Sequence, residues 1–420
     1  MRRREALLTA AGLFGMAPAT AKAALDVPAL PEDKLFSRDP ESYWLKLRRE
    51  QFLLPEGRAF LNVGSLGVAA KPALAATFNY LTQSASLEGL TSDGLPRWGG
   101  EPFDDWRQEL ADFVGCKKDE LALTRNTTEG MNTICQGLDL KAGDEVLLTD
   151  QEHPGGTFPW IQKQARFGVQ VRTVPIAIPP KSPAEITDRV ISAIGPRTRI
   201  ISFSGITTTT GLVTPIREIC QAARAKGVLT LIDGAHMNGQ VPVNLHELGC
   251  DFFAGSPHKW MFTPCGCGLL YIREEHLDKL WVHTATFNWD KYDLKAARFM
   301  MVGTNNRAIF EGHMAALRFL KQIGPDRVYG RIHQLARGVR ERVAKLPQLE
   351  LLTPDDDRLY AGMVTFQFKG VDTKPLYELA RKRGIWLAGA ERLRISTHIH
   401  TRPADLDAFF QAMHDSIGIG

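Results

Sequence analysis

Two ionisable residues follow apolar runs in the middle of the chain, and their types suggest chemistry at a carbonyl group. Asp233 ends the run VLTLID (228–233), and Lys259 follows the run DFFAGS (251–256) within the segment SPHKW. A buried carboxylate is costly unless a cation or a strong donor meets it. A lysine in a partly desolvated pocket loses basicity and becomes a nucleophile for carbonyls. The pair therefore predicts a pocket where Asp233 meets a basic group and Lys259 reacts with an aldehyde.

A third segment, RNTTEGMNTICQGL (125–138), predicts an anion site. Thr127 and Thr128 stand in a polar turn, and apolar residues then recur at i, i+3, i+4 and i+7 from Met131, which is typical of a helix. The free amides and hydroxyls at a helix N-terminus bind anions. A reactive lysine, a carboxylate for a ring nitrogen and a phosphate site together describe a pocket for pyridoxal 5′-phosphate.

The elements that must position these residues alternate along the chain. Short apolar runs, typical of buried strands, are separated by stretches with a period of 3.6 residues, such as PIREICQAARAKG (215–227). The apolar runs are 121–124, 145–150, 169–176, 199–204, 228–233 and 251–256. This alternation predicts an α/β fold with a mainly parallel sheet of the seven-stranded type, flanked by helices, that binds ligands at the carboxyl ends of its strands.

The chain divides into four predicted parts. Residues 1–23 are a signal peptide, residues 24–57 form a Pro- and charge-rich arm, residues 58–325 form the large cofactor domain and residues 326–420 form a smaller α+β domain. The last boundary is placed at the Gly324-Pro325 pair, because this pair interrupts a long helical region.

Residues 1–23 have the pattern of a signal peptide. A basic cluster precedes an apolar run of about a dozen residues, and a small-x-small end follows at Ala21-Lys22-Ala23. The consecutive arginines predict a twin-arginine signal, and hence export of a folded protein to the periplasm by the twin-arginine machinery. Ordinary secretion and a disordered cytoplasmic start are the alternatives.

Charge and cysteine usage exclude several classes. The net charge is +4, and residues 1–23 supply +3 of it, since Arg2, Arg3, Arg4 and Lys22 stand against Glu5. The remainder carries no basic patch for a nucleic acid, and no later stretch has the roughly 20 apolar residues of a membrane span. The six cysteines form no CxxC pair, so no metal site is predicted from them.

These motifs, in this order, resemble those of the fold-type I, class V aminotransferase family, which includes cysteine desulfurases, isopenicillin N epimerase and kynureninase. The resemblance extends over roughly residues 58–410 and is strongest to the isopenicillin N epimerase-like branch. It implies that Lys259 in GSPHKW holds the cofactor as a Schiff base and that Asp233 in DGAH pairs with the pyridinium nitrogen. It further implies that His236 contacts the phenolic oxygen and that His153 in EHPGGTFPW stacks on the ring.

The resemblance also implies a set of phosphate contacts. Those within the chain are Thr127, Thr128, Ser256 and His258. Thr304, in the segment GTNN, matches a loop that reaches the phosphate from the neighbouring subunit, which implies a homodimer with shared active sites.

On the substrate side, the resemblance assigns Arg394 in LRIS to the α-carboxylate of the substrate. A guanidinium suits this role because its fork matches the two carboxylate oxygens. Asn62 and Gly64 in FLNVGSLG match the loop on the same side.

The sequence departs from the family pattern at three places. Thr208 in SGITTTTG replaces an Asn, so we place Thr208 at the cofactor. The segment THIHT follows LRIS where related chains continue towards Tyr-Asn. His398 and His400 in this segment have two interpretations: both hold a metal, or one faces the pocket or solvent while the other packs. No cysteine follows Cys267, which argues against a desulfurase.

We therefore expect an exported enzyme that acts on the amino group and α-carbon of an amino acid or a peptide-like metabolite. Transamination is favoured, because epimerisation needs a second proton donor on the opposite face of the substrate. An epimerase and a class V lyase are the alternatives. A non-catalytic binding protein conflicts with the intact Lys259 and Asp233, and a metal-dependent hydrolase rests only on the histidine pair.

Overall fold

The computed structural model describes residues 25–86, 102–389 and 392–419, and the predicted signal peptide lies outside them. The helices are α1 (Asp33–Arg38), α2 (Pro40–Gln51), α3 (Lys71–Ser86), α4 (Asp104–Val114), α5 (Thr127–Gly137), α6 (Pro154–Phe167), α7 (Pro183–Ser192), α8 (Ile216–Ala225), α9 (Leu245–Leu248), α10 (Ala308–Ile323), α11 (Pro325–Ala344), α12 (Lys374–Lys382) and α13 (Pro403–Ile417). The strands are β1 (Ala59–Phe60), β2 (Leu121–Thr124), β3 (Glu145–Thr149), β4 (Gln170–Val174), β5 (Thr198–Ser204), β6 (Leu229–Gly234), β7 (Phe252–Gly255), β8 (Gly268–Ile272), β9 (Leu349–Leu351), β10 (Met363–Phe368), β11 (Ile385–Trp386), β12 (Ala388–Gly389) and β13 (Arg392–Ser396).

A seven-stranded sheet in the order β2-β8-β7-β6-β5-β3-β4 forms the centre of the larger core. Only β8 is antiparallel to its neighbours β2 and β7, and the remaining adjacent pairs are parallel. The predicted α/β fold with a mainly parallel sheet is therefore confirmed. The sequence prediction missed β8, because its continuous apolar run GLLYI carries no periodicity that separates a buried strand from a helix.

Burial explains why the strands read as uninterrupted apolar runs. Every residue of β7 and of β8 is buried, as expected for a sheet covered on both faces. Helix α8 supplies part of this cover through one apolar face formed by Ile216, Ile219 and Cys220.

Two helices begin beside the carboxyl edge of this sheet, and polar caps fix where they begin. The side chain of Asn126 accepts a hydrogen bond from the Glu129 amide at the start of α5. His153 caps α6 in the same way, by accepting from the amide of Gly155. The caps satisfy amides that would otherwise lack partners.

A smaller core lies around a four-stranded antiparallel sheet in the order β12-β13-β10-β9. Strand β1, which falls within the range predicted as the large domain, pairs in parallel with β11. Ala59 of β1 and Leu61, which follows β1, pack in this smaller core. Helix α11 contributes to both cores. The domain boundaries stay a prediction.

Residues of β13 alternate between two environments. Leu393 and Ile395 are fully buried in the smaller core. Because side chains alternate along a strand, Arg392 and Arg394 share the opposite face.

None of the described helices is both long and apolar enough to cross a membrane.

The central sheet makes a stability prediction. Leu231 in β6 is fully buried, so Leu231→Ala leaves a cavity and should lower the free energy of unfolding by about 2–5 kcal/mol. Leu45 in α2 is 42% exposed, and Leu45→Ala should change it by less than about 0.5 kcal/mol. Urea denaturation of both variants checks this, and equal losses would contradict the packing described.

Candidate active site

The carboxyl ends of β6 and β7 bring the two predicted reactive residues to one edge of the sheet. Asp233 lies at the end of β6, in register with Ser204 of β5 and Ala254 of β7. Lys259 lies in the turn that follows β7. The adjacency of parallel strands therefore places both residues at the edge where ligands of such sheets bind.

The carboxylate of Asp233 is almost fully buried and only partly satisfied. Its Oδ1 accepts one hydrogen bond, of 3.0 Å, from the amide of Ala235. Within the described ranges no group donates to its Oδ2, and a Cβ built on Gly156 would lie 3.3 Å from that atom. Burial raises the pKa of Asp233, while the positive charges of Lys259 and His153 act in the opposite direction. A protonated ring nitrogen would relieve the cost of this buried charge.

Hydrogen bonds around His236 fix which of its nitrogens carries the proton. The indole Nε1 of Trp260 donates to His236 Nδ1 at 3.2 Å, so the hydrogen of the neutral ring sits on Nε2. His236 Nε2 lies 3.2 Å from Lys259 Nζ. Burial lowers the pKa of His236 well below its usual value and lowers the pKa of Lys259 to about 8. A neutral amine beside an N–H donor is the arrangement a carbonyl-reactive lysine needs.

The predicted phosphate residues lie where α5 begins. The amide and the hydroxyl of Thr127 lie 2.9 Å and 2.8 Å from Ser256 Oγ. Thr128 is exposed in the first turn of α5. His258 is half-buried, and its Nδ1 is buried without a hydrogen-bond partner. Hydroxyls, helix amides and a free imidazole nitrogen form a donor set suited to a phosphate.

His153 is exposed at the start of α6. Its Nδ1 accepts from the Gly155 amide at 3.0 Å, so Nε2 carries the hydrogen of the neutral ring. Burial of part of the ring and the charge of Lys259 lower the pKa of His153. The orientation of this ring is therefore fixed by its own helix cap.

Sequence reasoning missed Glu152, which immediately precedes His153. Its carboxylate accepts hydrogen bonds from Thr149 Oγ1 at 2.5 Å and from Ser204 Oγ at 2.6 Å. Burial raises the pKa of Glu152 to about 7, and the negative charge of Asp233 adds to this effect. The sequence does show this carboxylate, because Glu152 is the first residue of the segment EHPGGTFPW that contains His153.

Arg394 is a buried guanidinium held by neutral acceptors. Its Nη1 donates to the carbonyl oxygen of Thr208 at 2.6 Å and lies 3.1 Å from the Thr208 hydroxyl. Its Nη2 donates to Asn62 Oδ1 at 3.1 Å and to Ser65 Oγ at 3.0 Å. A Cβ on Gly64 would lie 2.9 Å from the guanidinium, so this loop needs glycine for close approach. Burial lowers the pKa of Arg394 to about 10, and none of the described carboxylates pairs with it.

Three predicted residues therefore meet at Arg394. Asn62 and Gly64 contact it, and Thr208 binds it through two atoms. The assignments of Asn62 and Gly64 to the substrate side and of Thr208 to the cofactor stay predictions. Sequence reasoning missed Ser65, although Ser65 lies within the quoted segment FLNVGSLG. Thr304 is exposed, and its predicted role towards a partner subunit stays a prediction.

His398 and His400 are both buried, contrary to the expectation that one of them faces the pocket or solvent. Their rings stack with centroids 5.2 Å apart. His398 Nε2 donates to the carbonyl oxygen of Trp260 at 3.0 Å, and its Nδ1 accepts from the Ile399 amide. Both nitrogens of His398 are thus engaged by backbone and are not directed at a metal. The carbonyl oxygen of His400 accepts from Arg48 of α2 at 2.8 Å, which joins the arm to this stack.

Residues 70–404 match the family model described as Aminotransferase class-V. The chain belongs to the class V aminotransferase family. It is 32% identical over 335 residues to an isopenicillin N epimerase of Streptomyces clavuligerus, which covers 73% of this chain and 82% of that protein. It is 30% identical over 395 residues to an isopenicillin N epimerase of Amycolatopsis lactamdurans, which covers 87% and 97%. Proteins named cysteine desulfurase are also similar.

The structure also resembles solved structures of this fold. A C-DES mutant with glycine covalently linked to its PLP cofactor aligns with a TM-score of 0.77 and 25% identity over 87% of this chain and 98% of that chain. The family and the cofactor predicted from the sequence are therefore confirmed, and the protein is a pyridoxal 5′-phosphate protein.

The site fits this cofactor, because each of its polar parts finds a matching group. The unsatisfied Oδ2 of Asp233 suits the ring nitrogen, Lys259 suits the aldehyde carbon and His236 Nε2–H suits the phenolic oxygen. The residues that would hold the phosphate are Thr127, Thr128, Ser256 and His258.

The pKa of Lys259 predicts how the cofactor-free protein reacts. Labelling by pyridoxal phosphate and borohydride should have a rate midpoint near pH 8, because only the neutral amine attacks an aldehyde and burial lowers this pKa to about 8. Asp233→Asn should move the midpoint lower, because the negative charge of Asp233 raises the pKa of Lys259. Peptide mapping of the label at several pH values measures this. A midpoint near the ordinary lysine pKa of ~10.4 would rule out the desolvated pocket.

The indole of Trp260 predicts a second effect. Trp260→Phe removes the donor to His236 Nδ1 and frees the ring to change tautomer, so the affinity for pyridoxal phosphate should fall about tenfold, in line with ~1.4 kcal/mol for a lost hydrogen bond. Trp160→Phe is the matched control, because Trp160 is also fully buried but its Nε1 has no partner. Fluorescence titration of both cofactor-free variants measures the affinities, and equal losses would show that only bulk matters.

Proposed function

We propose that the protein is a pyridoxal phosphate-dependent enzyme that acts on the amino group and α-carbon of an amino acid or peptide-like metabolite by transamination. The observation that carries the proposal is the combination of Lys259 and Arg394 in one site. One loop joins them, since Asn62 and Ser65 bind Arg394 and the amide of Gly67 donates to the carbonyl oxygen of His258, next to Lys259. Among the described residues Arg394 has no carboxylate partner. An amino acid presents an amine and a carboxylate to these two groups.

The roles of the residues follow from their contacts. Arg394 binds the α-carboxylate through a bidentate pair and so orients the α-carbon. The bound cofactor supplies an electron sink for negative charge at that carbon. Asp233 holds a proton at the ring nitrogen through Oδ2, and His236 Nε2–H donates to the neighbouring oxygen. Lys259 Nζ, which loses its own proton near pH 8, would accept the α-proton and pass it to the carbon of the cofactor's aldehyde group, the transfer that transamination requires.

Epimerisation is the second candidate, and the two similar isopenicillin N epimerases support it. It requires a second proton donor on the face opposite Lys259, and we assign none among the described residues. For this reason transamination stays first. A desulfurase is not proposed, because the last cysteine, Cys267, is buried and its Sγ lies 3.1 Å from Thr263 Oγ1.

The first experiment identifies the cofactor linkage. The purified protein should show a visible cofactor band that shifts with amino acids and that borohydride fixes onto Lys259. Lys259→Ala should lose the borohydride-stable attachment, while Lys141→Ala should keep it because Lys141 is exposed and pairs with Asp139. A protein that neither binds pyridoxal phosphate nor is labelled at Lys259 would refute the proposal.

Incubation with amino acids in D2O then separates the reactions. A keto acid together with the amine form of the cofactor supports transamination. Deuterium at the α-carbon of an inverted product, with no keto acid, would show epimerisation in place of transamination. Release of a fragment of the substrate's side chain would show a lyase reaction. If no amino acid or peptide exchanges its α-hydrogen for deuterium, the protein would be a non-catalytic binding protein.

We also propose that the enzyme is a homodimer with shared active sites. Support comes from two exposed apolar side chains near site residues, which a partner subunit could cover. Leu66 lies in the same loop as Asn62, and Phe158 lies on α6, which His153 caps. Light scattering should give twice the chain mass of 46.6 kDa. A monomer with full cofactor occupancy would refute shared sites.

Export by the twin-arginine machinery is a further proposal, supported by the pattern of residues 1–23. Because that pathway carries folded proteins, the cofactor would bind before transport. Replacement of Arg3 and Arg4 by Lys should retain the protein in the cytoplasm. A full-length cytoplasmic form of the unaltered protein in fractionated cells would end this proposal.

A further inference from the structure

A second arginine lies beside the substrate-side arginine, in the same cavity. Arg392 and Arg394 share one face of β13, opposite Leu393 and Ile395 in the smaller core. Both line a cavity of about 320 Å³. The other lining residues are Ser65, Thr208, Thr209, Ala388 and Gly389.

The described lining of this cavity carries charge of one sign. Among the residues that the structure describes, the lining contains two arginines and no acidic residue. Arg394 donates to neutral oxygens only, as described above, and none of the acidic side chains in the described ranges forms an ion pair with Arg392. Two like charges in one cavity repel unless anions meet them. The lining is therefore complementary to a ligand with more than one negative charge.

The two arginines differ in depth. Arg394 is 9% exposed, whereas Arg392 is exposed at the mouth. They lie two positions apart on β13, so their Cα atoms are roughly 7 Å apart. A ligand whose α-carboxylate meets Arg394 in this cavity can therefore place a second group against Arg392.

We propose that Arg392 binds a second carboxylate on the side chain of the substrate, so that the enzyme selects acidic amino acids or peptides with an acidic group at that position. The inference rests on the proposed function, because that function assigns Arg394 to the α-carboxylate. A guanidinium recognises such a group by paired hydrogen bonds. A neutral substrate would leave the charge of Arg392 unpaired at the mouth.

The experiment measures binding of ligands that lack an amine, so that it does not depend on turnover. Calorimetric titration of the holoenzyme should show glutarate binding at least tenfold more tightly than butyrate, since the second carboxylate reaches Arg392. Arg392→Gln should abolish this ratio without changing the affinity for butyrate. Arg392→Lys should retain part of it.

Arg383→Gln is the matched control, because Arg383, at the end of α12, pairs with Asp415 and does not line the cavity. It should keep the full ratio. Equal binding of glutarate and butyrate by the unaltered protein, or an unchanged ratio in Arg392→Gln, would overturn the proposal.

The proposed function has a separate readout in the same samples. If glutarate selectivity depends on Arg392 while no amino acid alters the cofactor band, the second subsite stands and the amino-acid chemistry fails. Suppose instead that glutamate and glutamine shift the cofactor band equally readily, both in the unaltered protein and in Arg392→Gln. The proposed function then stands, and the proposed carboxylate site at Arg392 is refuted.

Discussion

Burial of charge without a protein partner is the constraint on which the site depends. The fold buries the ionisable groups of Asp233, Lys259 and Arg394, and the hydrogen bonds of each group satisfy it only in part. Two other buried arginines have carboxylate partners: Arg107 pairs with Asp104, and Arg331 pairs with Glu41. Because a buried charge is costly, this unsatisfied set stores binding energy for a ligand that brings the complementary groups.

Local patterns made the cofactor half of the site predictable. The apolar runs before Asp233 and Lys259 mark strands, and parallel strands meet at one edge, so their neighbourhood follows from a two-element argument. The start of α5 was equally visible, because a polar turn precedes a periodic apolar face. In each case the evidence lies within about 30 residues of sequence, a range over which periodicity and turn chemistry are informative.

The substrate half was predictable only by resemblance, because it is assembled over long distances. Asn62 and Arg394 are separated by 332 residues, and Thr208 by 186 from the same arginine. No local pattern reports such contacts, so Ser65 was missed and the contact of Thr208 with Arg394 was not foreseen. The histidine pair misled for a related reason. Residues two apart share one face of a strand, but β13 ends at Ser396, and the two rings beyond it are buried in one stack whose partners, Trp260 and Arg48, lie far away in the sequence.

The contacts of that stack give the N-terminal arm a part in the active site. Helix α2 reaches His400 through Arg48, the two histidine rings stack, His398 holds the backbone of Trp260, and Trp260 sets the tautomer of His236 beside the reactive lysine. A peptidase that trimmed the chain beyond the predicted signal and into α2 would therefore remove the first member of this series. The N-terminus can therefore be shortened only as far as α2 before the contacts that orient His236 beside Lys259 are affected.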